Sequence, residues 1–242
     1  MAGESPQQGM AMDLFETNGV KIDISHPRVA PVAEDFRRNI YEGREARLVH
    51  QVIRPHHRVI ELGTCTGFLA MQVARIIGPD RVWCYEASRE NAVLALHHFS
   101  LNGLPIALSN AAVLSRRSAA GRTTTDLFVS PSLVSSSLLP IPRRETVPVP
   151  VAVFEEEVAR HQANFLIMDI EGGEVDLLGT AELDPITGII METHYRKAGI
   201  AATDAMVKRL YDRGFRINLR NSGSEVLHLY REGHEADLEG AW

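Results

Sequence analysis

One segment constrains the fold more than any other: RVIELGTCTGFLAMQVA, residues 58–74. Arg58 to Leu62 is a short apolar strand and Gly63 to Gly67 a tight loop. Phe68 to Ile77 then reads as a helix with Phe68, Leu69, Val73 and Ile76 on its apolar side. Gly78, Pro79 and Asp80 stop that helix, and RVWCYE supplies a second strand. Strand, helix and strand in this order make a right-handed parallel unit, and a parallel sheet needs cover on both faces. The loop also carries chemistry. Gly63 lets the chain turn without a Cβ, Gly67 permits close approach to a ligand, and the helix beginning near Phe68 offers unpaired N–H groups. The two glycines stand four apart, which departs from the dinucleotide fingerprint, and no lysine follows them as a phosphate-binding P-loop requires.

The rhythm continues downstream. Asn91 to Leu101 reads as a helix, Ile106 to Val113 contains a third strand, and Phe154 to His161 is a short helix. Asn164 to Ile170 is an apolar strand ending in carboxylates, Val175 to Leu178 begins a helix, and Gly188 to Thr193 is another strand. An amphipathic helix over Thr203 to Arg213 is capped at Gly214, and Phe215 to Leu219 pairs with Glu225 to Tyr230 as a hairpin. Seven strands with helices between most of them predict one open α/β sheet with a mixed edge. Residues 1–54 are an N-terminal extension: a loose polar start to about residue 12, a short strand over Gly19 to Ile24, and a helical cap over about Pro31 to Ile53. In the cap, Val32, Phe36, Ile40 and Val49 share an apolar side. The main domain spans 55–235, and within it the Ser-, Thr- and Pro-rich stretch 122–151 reads as a substrate-side loop or β-hairpin.

Composition removes several function classes. The 25 basic and 31 acidic residues give a formal net charge of -6, which disfavours nucleic acid as the main partner. The two cysteines, Cys65 and Cys84, lie in apolar surroundings and offer neither a disulfide framework nor a metal spacing. No apolar run spans a membrane and the N-terminus lacks a secretion signal, so the expected location is cytoplasmic. The cap and the middle segment are each suited to covering a pocket or to forming a homodimer surface, and periodicity does not choose between them.

Glu86 ends the second strand 23 positions after Gly63, where a carboxylate can accept both hydrogens of a ribose diol. With Glu61 it gives the glycine loop acidic flanks, which suit an amino or sulfonium charge better than a pyrophosphate. At this point the chain resembles a known family. VIELGTCTGFLAMQVA, VWCYEAS, NAAVLS, MDIEGGEVDLL and IIMETH together look like an S-adenosylmethionine-dependent methyltransferase of the FkbM type, over about residues 55 to 230. The resemblance implies a Rossmann-like class I methyltransferase fold, a seven-stranded mixed sheet with helices on both faces and its final strand antiparallel. It implies Glu61 and Gly63 near the methionine part of the cofactor, Glu86 at the ribose, and Asn110, Ala111 and Ala112 near adenine. Thr64, Gly67, Ala87 and Asp169 complete the implied cofactor contacts. Met168 departs from the lysine often found before the family aspartate, which weakens any role for a lysine there.

The acidic turn IMDIEGGEVDLL supplies the acceptor side. Asp169 and Glu171 stand two apart and, if the strand persists, face one side; Glu192 and His194 have the same spacing. His194 is the candidate general base, oriented by Asp169 or Glu192, for a methyl acceptor that must lose a proton. Asp169, Glu171, Glu192 and His194 also form a candidate ligand set for Mg²⁺ or Mn²⁺. Glu174 and Asp176 suit the positive N-terminus of the following helix, and Gly172-Gly173 the turn into it. Tyr195, Arg196 and Lys197 belong either to a solvated loop or beside an anionic acceptor, whereas Arg143-Arg144 and His97-His98 read as surface charge and packing. The leading function is an O-methyltransferase acting on a small-molecule hydroxyl, such as a secondary metabolite or sugar-containing compound. The alternatives are an N-methyltransferase on a small amine and a noncatalytic methyltransferase-like binding protein.

Overall fold

The computed structural model describes residues 12–223 and 225–238; the loose polar start expected before them lies outside the described residues. A hairpin of β1 (Leu14–Thr17) and β2 (Val20–Asp23) precedes helices α1 (Ala33–Arg37) and α2 (Gly43–Val52). The first parallel unit is β3 (Val59–Leu62), α3 (Phe68–Ile77) and β4 (Val82–Tyr85), followed by α4 (Arg89–Leu101) and β5 (Ala107–Ser109). A middle section contains β6 (Ala112–Leu114), α5 (Arg116–Ala119), β7 (Thr124–Phe128) and β8 (Thr146–Val153). The second half runs α6 (Phe154–His161), β9 (Phe165–Met168), α7 (Glu174–Thr180) and β10 (Gly188–Glu192). It closes with α8 (Tyr195–Ala198), α9 (Ile200–Asp212), β11 (Phe215–Ile217) and β12 (Val226–Arg231).

Seven strands form one sheet in the order β11-β12-β10-β9-β3-β4-β5. The run from β10 through β9, β3 and β4 to β5 is parallel, and β12 is antiparallel to both of its neighbours. The side-chain period of two divides the core cleanly. Val59, Ile167 and Ile190 face one cluster with Phe68 and Met71 of α3, while Ile60, Leu62, Leu166, Met168 and Ile189 face the other with Leu177 of α7 and Leu210 of α9. All four residues of β3 and of β9 are buried, as central strands covered on both sides must be.

The strand order reverses between β3 and β9. After β3 the chain builds outward through β4 and β5, then returns to lay β9 on the other side of β3. Such a reversal opens a crevice beyond the strand carboxyl ends, the usual ligand site of an open α/β sheet. Gly63, Glu86, Asn110 and Asp169 are each the first residue beyond a parallel strand.

Three local expectations change. The cap is not one helix: it breaks between Arg37 and Gly43, where Asn39 (φ 54°) and Glu42 (φ 45°) are left-handed, and Ile40 is 51% exposed. Burial of Phe36 in α1 and of Leu48, Val49 and Val52 in α2 fixes the two pieces separately. A strand not expected, LFET, pairs with β2 as an exposed edge. Finally, β9 stops at Met168, so Asp169 and Glu171 do not share a strand face, and Glu171 is itself left-handed at φ 58°. In the middle section β7 and β8 pair antiparallel from Thr124↔Pro150 to Phe128↔Thr146, and β6 joins β8 in parallel to make a second, three-stranded sheet. The loop between β7 and β8 reaches back over the crevice.

Candidate active site

The glycine loop is shaped by what it touches. Gly63 has φ +82°, and a Cβ there would lie 1.8 Å from the Asp169 carbonyl oxygen. Only glycine lets the loops after β3 and β9 approach this closely. Cys65, left-handed at φ 50°, donates its backbone N–H to Glu86 Oε2 at 2.8 Å, while Glu86 Oε1 accepts from Ser88 N at 2.7 Å. Gly67 also has a packing reason to be glycine: its absent Cβ would meet the Phe99 ring of α4 at 2.5 Å. His98, fully buried, braces the same loop. Its Nδ1 lies 2.8 Å from the Thr66 carbonyl oxygen and its Nε2 accepts from Asp23 N at 3.3 Å, which makes it an Nδ1–H tautomer tying the N-terminal hairpin to the loop.

A cavity of about 660 Å³ opens beside this loop, walled by Gly63, Glu86, Ala87, Ala111, Ala112 and Asp169. Leu133 to Leu138 of the β7–β8 loop close it from above. That cover is pinned at both ends. Asn91 Nδ2 donates to Leu133 O at 2.9 Å, Ser135 N to Glu171 Oε1 at 2.8 Å, and Ser137 Oγ to Glu171 O at 2.7 Å. Asn110 donates its side-chain amide to the Glu86 and Ala87 carbonyls at 2.8 and 3.0 Å, so it shapes the rim. The cavity suits a nucleoside: its walls are largely apolar, and the buried Glu86 carboxylate, held by backbone N–H groups, is an acceptor at its wall. Burial raises the Glu86 pKa, against the hydrogen bonds from Cys65 and Ser88.

Two further cavities adjoin the first. One of about 900 Å³ is walled by Tyr41, Glu42, Glu45, Asp169, Glu192 and Glu225, with Arg44 at its edge. A smaller one of about 370 Å³ lies behind Glu61 and Thr64. Burial pushes the Glu61 carboxyl up to about 7 despite Thr64 and Cys84 beside it. Asp169 belongs to the walls of all three cavities.

His194 follows β10 and sits among carboxylates. Its Nδ1 lies 3.1 Å from Glu174 Oε1, and its Nε2 lies 3.2 Å from Glu171 Oε2 and 3.5 Å from Asp169 Oδ1. Burial alone would lower its pKa, but the hydrogen bond and charge of Glu174, with Asp169 and Glu171, raise it to about 9. The ring is therefore an imidazolium at neutral pH. Glu174, only 1% exposed, also accepts Ile170 N on Oε1 and Gly172 N on Oε2, each at 2.9 Å. It thus builds the turn and aims the histidine at once, a role the sequence assigned to Asp169 or Glu192. Nothing in its helix-start position distinguishes that role from ordinary N-terminal charge; only the fold of the turn reveals it. Glu192 instead lines the second and third cavities. Lys197 pairs with Glu171, Arg143 is exposed, and the Arg144 side chain donates to the Val129 carbonyl at 3.4 Å.

The expected metal set is redistributed as well. Among the described residues, Asp169, Glu174 and His194 bring ligand-type atoms within 4.8 Å of one another, and Glu192 stands outside that group. An ion there would have to displace the proton of His194 and compete with the N–H groups that Glu174 already holds. His194 would join such a set as a neutral imidazole, and Glu174 would share its oxygens between the ion and the N–H groups of Ile170 and Gly172.

A seven-stranded mixed sheet flanked by helices, with a cavity at the point where the strand order reverses, is the Rossmann-like class I methyltransferase fold. The chain belongs to the methyltransferase FkbM domain family, whose model matches residues 73–217. It is a methyltransferase enzyme of that family. Among solved structures it is similar to the O-methyltransferase TomG from Streptomyces achromogenes, involved in tomaymycin synthesis and solved with S-adenosylmethionine. That likeness is 14% identity over 90% of this chain and 91% of that chain, with a TM-score of 0.51. A methyltransferase from Geobacter sulfurreducens matches at 19% identity over 85% and 90% of the two chains, with a TM-score of 0.46. The ribosomal protein L11 methylase of Lactobacillus delbrueckii subsp. bulgaricus matches at 15% over 78% and 76%, with a TM-score of 0.45. No curated protein matches the sequence. Among the described residues no helix is long and apolar enough to cross a membrane.

Proposed function

We propose that this enzyme methylates a hydroxyl of a small molecule seated in the second cavity, with Asp169 and His194 handling the acceptor's proton. The supporting observation is that Asp169 alone joins all three cavities, the junction where a methyl donor and an acceptor would meet. S-adenosylmethionine, when bound, supplies an activated methyl group. In this reading Glu86 holds the ribose, Glu61 and Gly63 flank the methionine part, and Ala111 and Ala112 flank adenine. The remaining tasks are to orient the acceptor and remove its proton. Asp169 Oδ1 is buried without a hydrogen bond, and burial together with Glu192 makes the carboxylate more basic than usual while His194 opposes this. Asp169 accepts the proton, and the neighbouring imidazolium steadies the negative charge left on the acceptor oxygen. His194 becomes a base itself only as the pH approaches about 9. A second reading, N-methylation of a small amine, draws on the carboxylates of the same cavity, Glu42, Glu45, Glu192 and Glu225.

A panel of small alcohols, phenols and amines, read by release of S-adenosylhomocysteine, tests the acceptor class; turnover confined to amines rejects O-methylation. For the proton, Asp169→Asn should lower kcat by about 10²–10⁴ while retaining S-adenosylhomocysteine binding. A wild-type kcat that climbs through about pH 9 and loses that limb in His194→Gln would transfer the base role to His194. Turnover that disappears on chelation and returns with Mg²⁺ or Mn²⁺ would replace the imidazolium by a metal.

A further inference from the structure

Beyond the second cavity, and sharing Arg44 and Val226 with it, lies another of about 580 Å³. Its polar walls are Arg44, Arg47 and Gln51 of α2 with Arg220, Asn221 and Ser222 of the loop between β11 and β12, and among the described residues no Asp or Glu lines it. Arg44, Arg47 and Gln51 stand three and four residues apart, so α2 presents them on one side while Ala46, Val49 and Val52 are buried. The loop is braced to meet them. Asn218 Oδ1 accepts the Arg220 backbone N–H at 3.2 Å, Ser222 Oγ accepts His228 N at 2.9 Å, and a Cβ added to Gly223 would lie 3.3 Å from Arg44 Nη1. Three guanidinium groups gathered without an acid repel one another. Although the chain has 31 acidic residues against 25 basic ones, Arg44 and Arg47 form no salt bridge and no side-chain hydrogen bond among the described residues. Glu45 feels both charges, but from the wall of the second cavity.

We propose that Arg44, Arg47 and Arg220 form an anion subsite for the acceptor, taking a phosphate, sulfate or carboxylate at the end remote from the hydroxyl that is methylated. Guanidinium forks engage such groups through two N–H donors at a time, and the amides of Gln51 and Asn221 add neutral donors at the same wall. The two adjoining cavities are opposite in charge. Glu42, Glu45, Asp169, Glu192 and Glu225 in the second repel an anion that the arginines attract. An acceptor charged at one end therefore enters in one orientation, with its neutral hydroxyl toward Asp169. This inference rests on the proposed seating of the acceptor in the second cavity.

Calorimetry on the full chain, saturated with S-adenosylhomocysteine, tests this with inorganic phosphate and two matched pairs. The pairs are myo-inositol with its monophosphate, and p-hydroxybenzyl alcohol with p-hydroxybenzoate. The wild type should bind phosphate, and it should bind the anionic member of at least one pair about tenfold more tightly than the neutral member, the worth of one charge-assisted hydrogen bond. Arg47→Gln and Arg220→Gln should each weaken phosphate and narrow that preference, and high salt should narrow it in the wild type. Arg47→Lys, which keeps the charge and loses the fork, should retain part of it. No preference for the anionic member in the wild type, or a preference that survives in both glutamine variants, overturns the proposal. Phosphate that binds through the arginines without a preference in either pair assigns the cavity to an anion separate from the acceptor and overturns it equally. The seating of the acceptor fails in a different way. An anionic probe whose binding depends on Arg47 and Arg220, but which releases no S-adenosylhomocysteine when incubated with S-adenosylmethionine, supports the subsite and rejects that seating. Both arginines are exposed, and either glutamine variant decides the matter if the other does not fold.

Discussion

At the scale of single residues, Glu174 explains why His194 differs from a free histidine. Its carboxylate, buried beneath the turn that it also organises, holds Nδ1, and Asp169 and Glu171 bracket the other nitrogen. Glu174→Gln keeps the shape and removes the largest raising influence on the ring, so the His194 pKa should fall from about 9 toward its ordinary value. The stability effect has a definite sign. A histidine whose folded pKa lies above its unfolded value of 6.5 contributes stability that is complete below the unfolded value and lost as pH rises through about 9. Denaturant titrations should therefore show the gap between wild type and Glu174→Gln narrowing as the pH passes about 9, down to the pH-independent cost of the one backbone N–H that the amide can no longer accept, with NMR of the ring reporting the shift directly. A ring pKa that stays where it is in the variant would assign the shift to Asp169 and Glu171 instead.

At the scale of elements, the site is made by contacts between loops that follow different strands. Gly63 is held against the Asp169 carbonyl, Cys65 N–H against Glu86, and the β7–β8 loop against Glu171. Gly67 belongs to this scale because its constraint comes from α4 across the interface. With φ +78° and Phe99 2.5 Å from an added Cβ, Gly67→Ala should cost about 1–3 kcal/mol through strain and overpacking. Phe99→Leu in the same chain should recover part of that loss. Additive losses in a denaturation double-mutant cycle would show that the left-handed backbone, and not the ring, sets the cost.

At the scale of the whole molecule, three buried histidines link the fold to acid. Burial lowers His57, His98 and His228 to about 4, so folding must keep each of them neutral. The unfolded chain binds their protons below about 6.5 while the folded chain resists until about 4, and stability is withdrawn across that window as the pH falls. His228 lies on β12 opposite Ile190, its ring near that of Phe165. Replacing it by Gln should reduce the stability lost between about pH 7 and pH 5. An unchanged slope in chemical denaturation would remove His228 from that account.

Taken by itself the sequence determined the parallel unit, the apolar period-two strands and the glycine loop, because each depends on neighbours within a few residues. It also carried the resemblance to the family, in the motifs VIELGTCTGFLAMQVA, VWCYEAS, NAAVLS, MDIEGGEVDLL and IIMETH. Tertiary structure alone decided the break in the cap, the end of β9 at Met168, and the pairing of His194 with Glu174. It alone set Gly67 against Phe99 and brought Glu42 and Glu45 to the cavities that Asp169 also lines. The physical reason is the same in each case: burial and charge at these positions come from elements distant in sequence, and local periodicity records a residue's own face without recording what arrives to meet it.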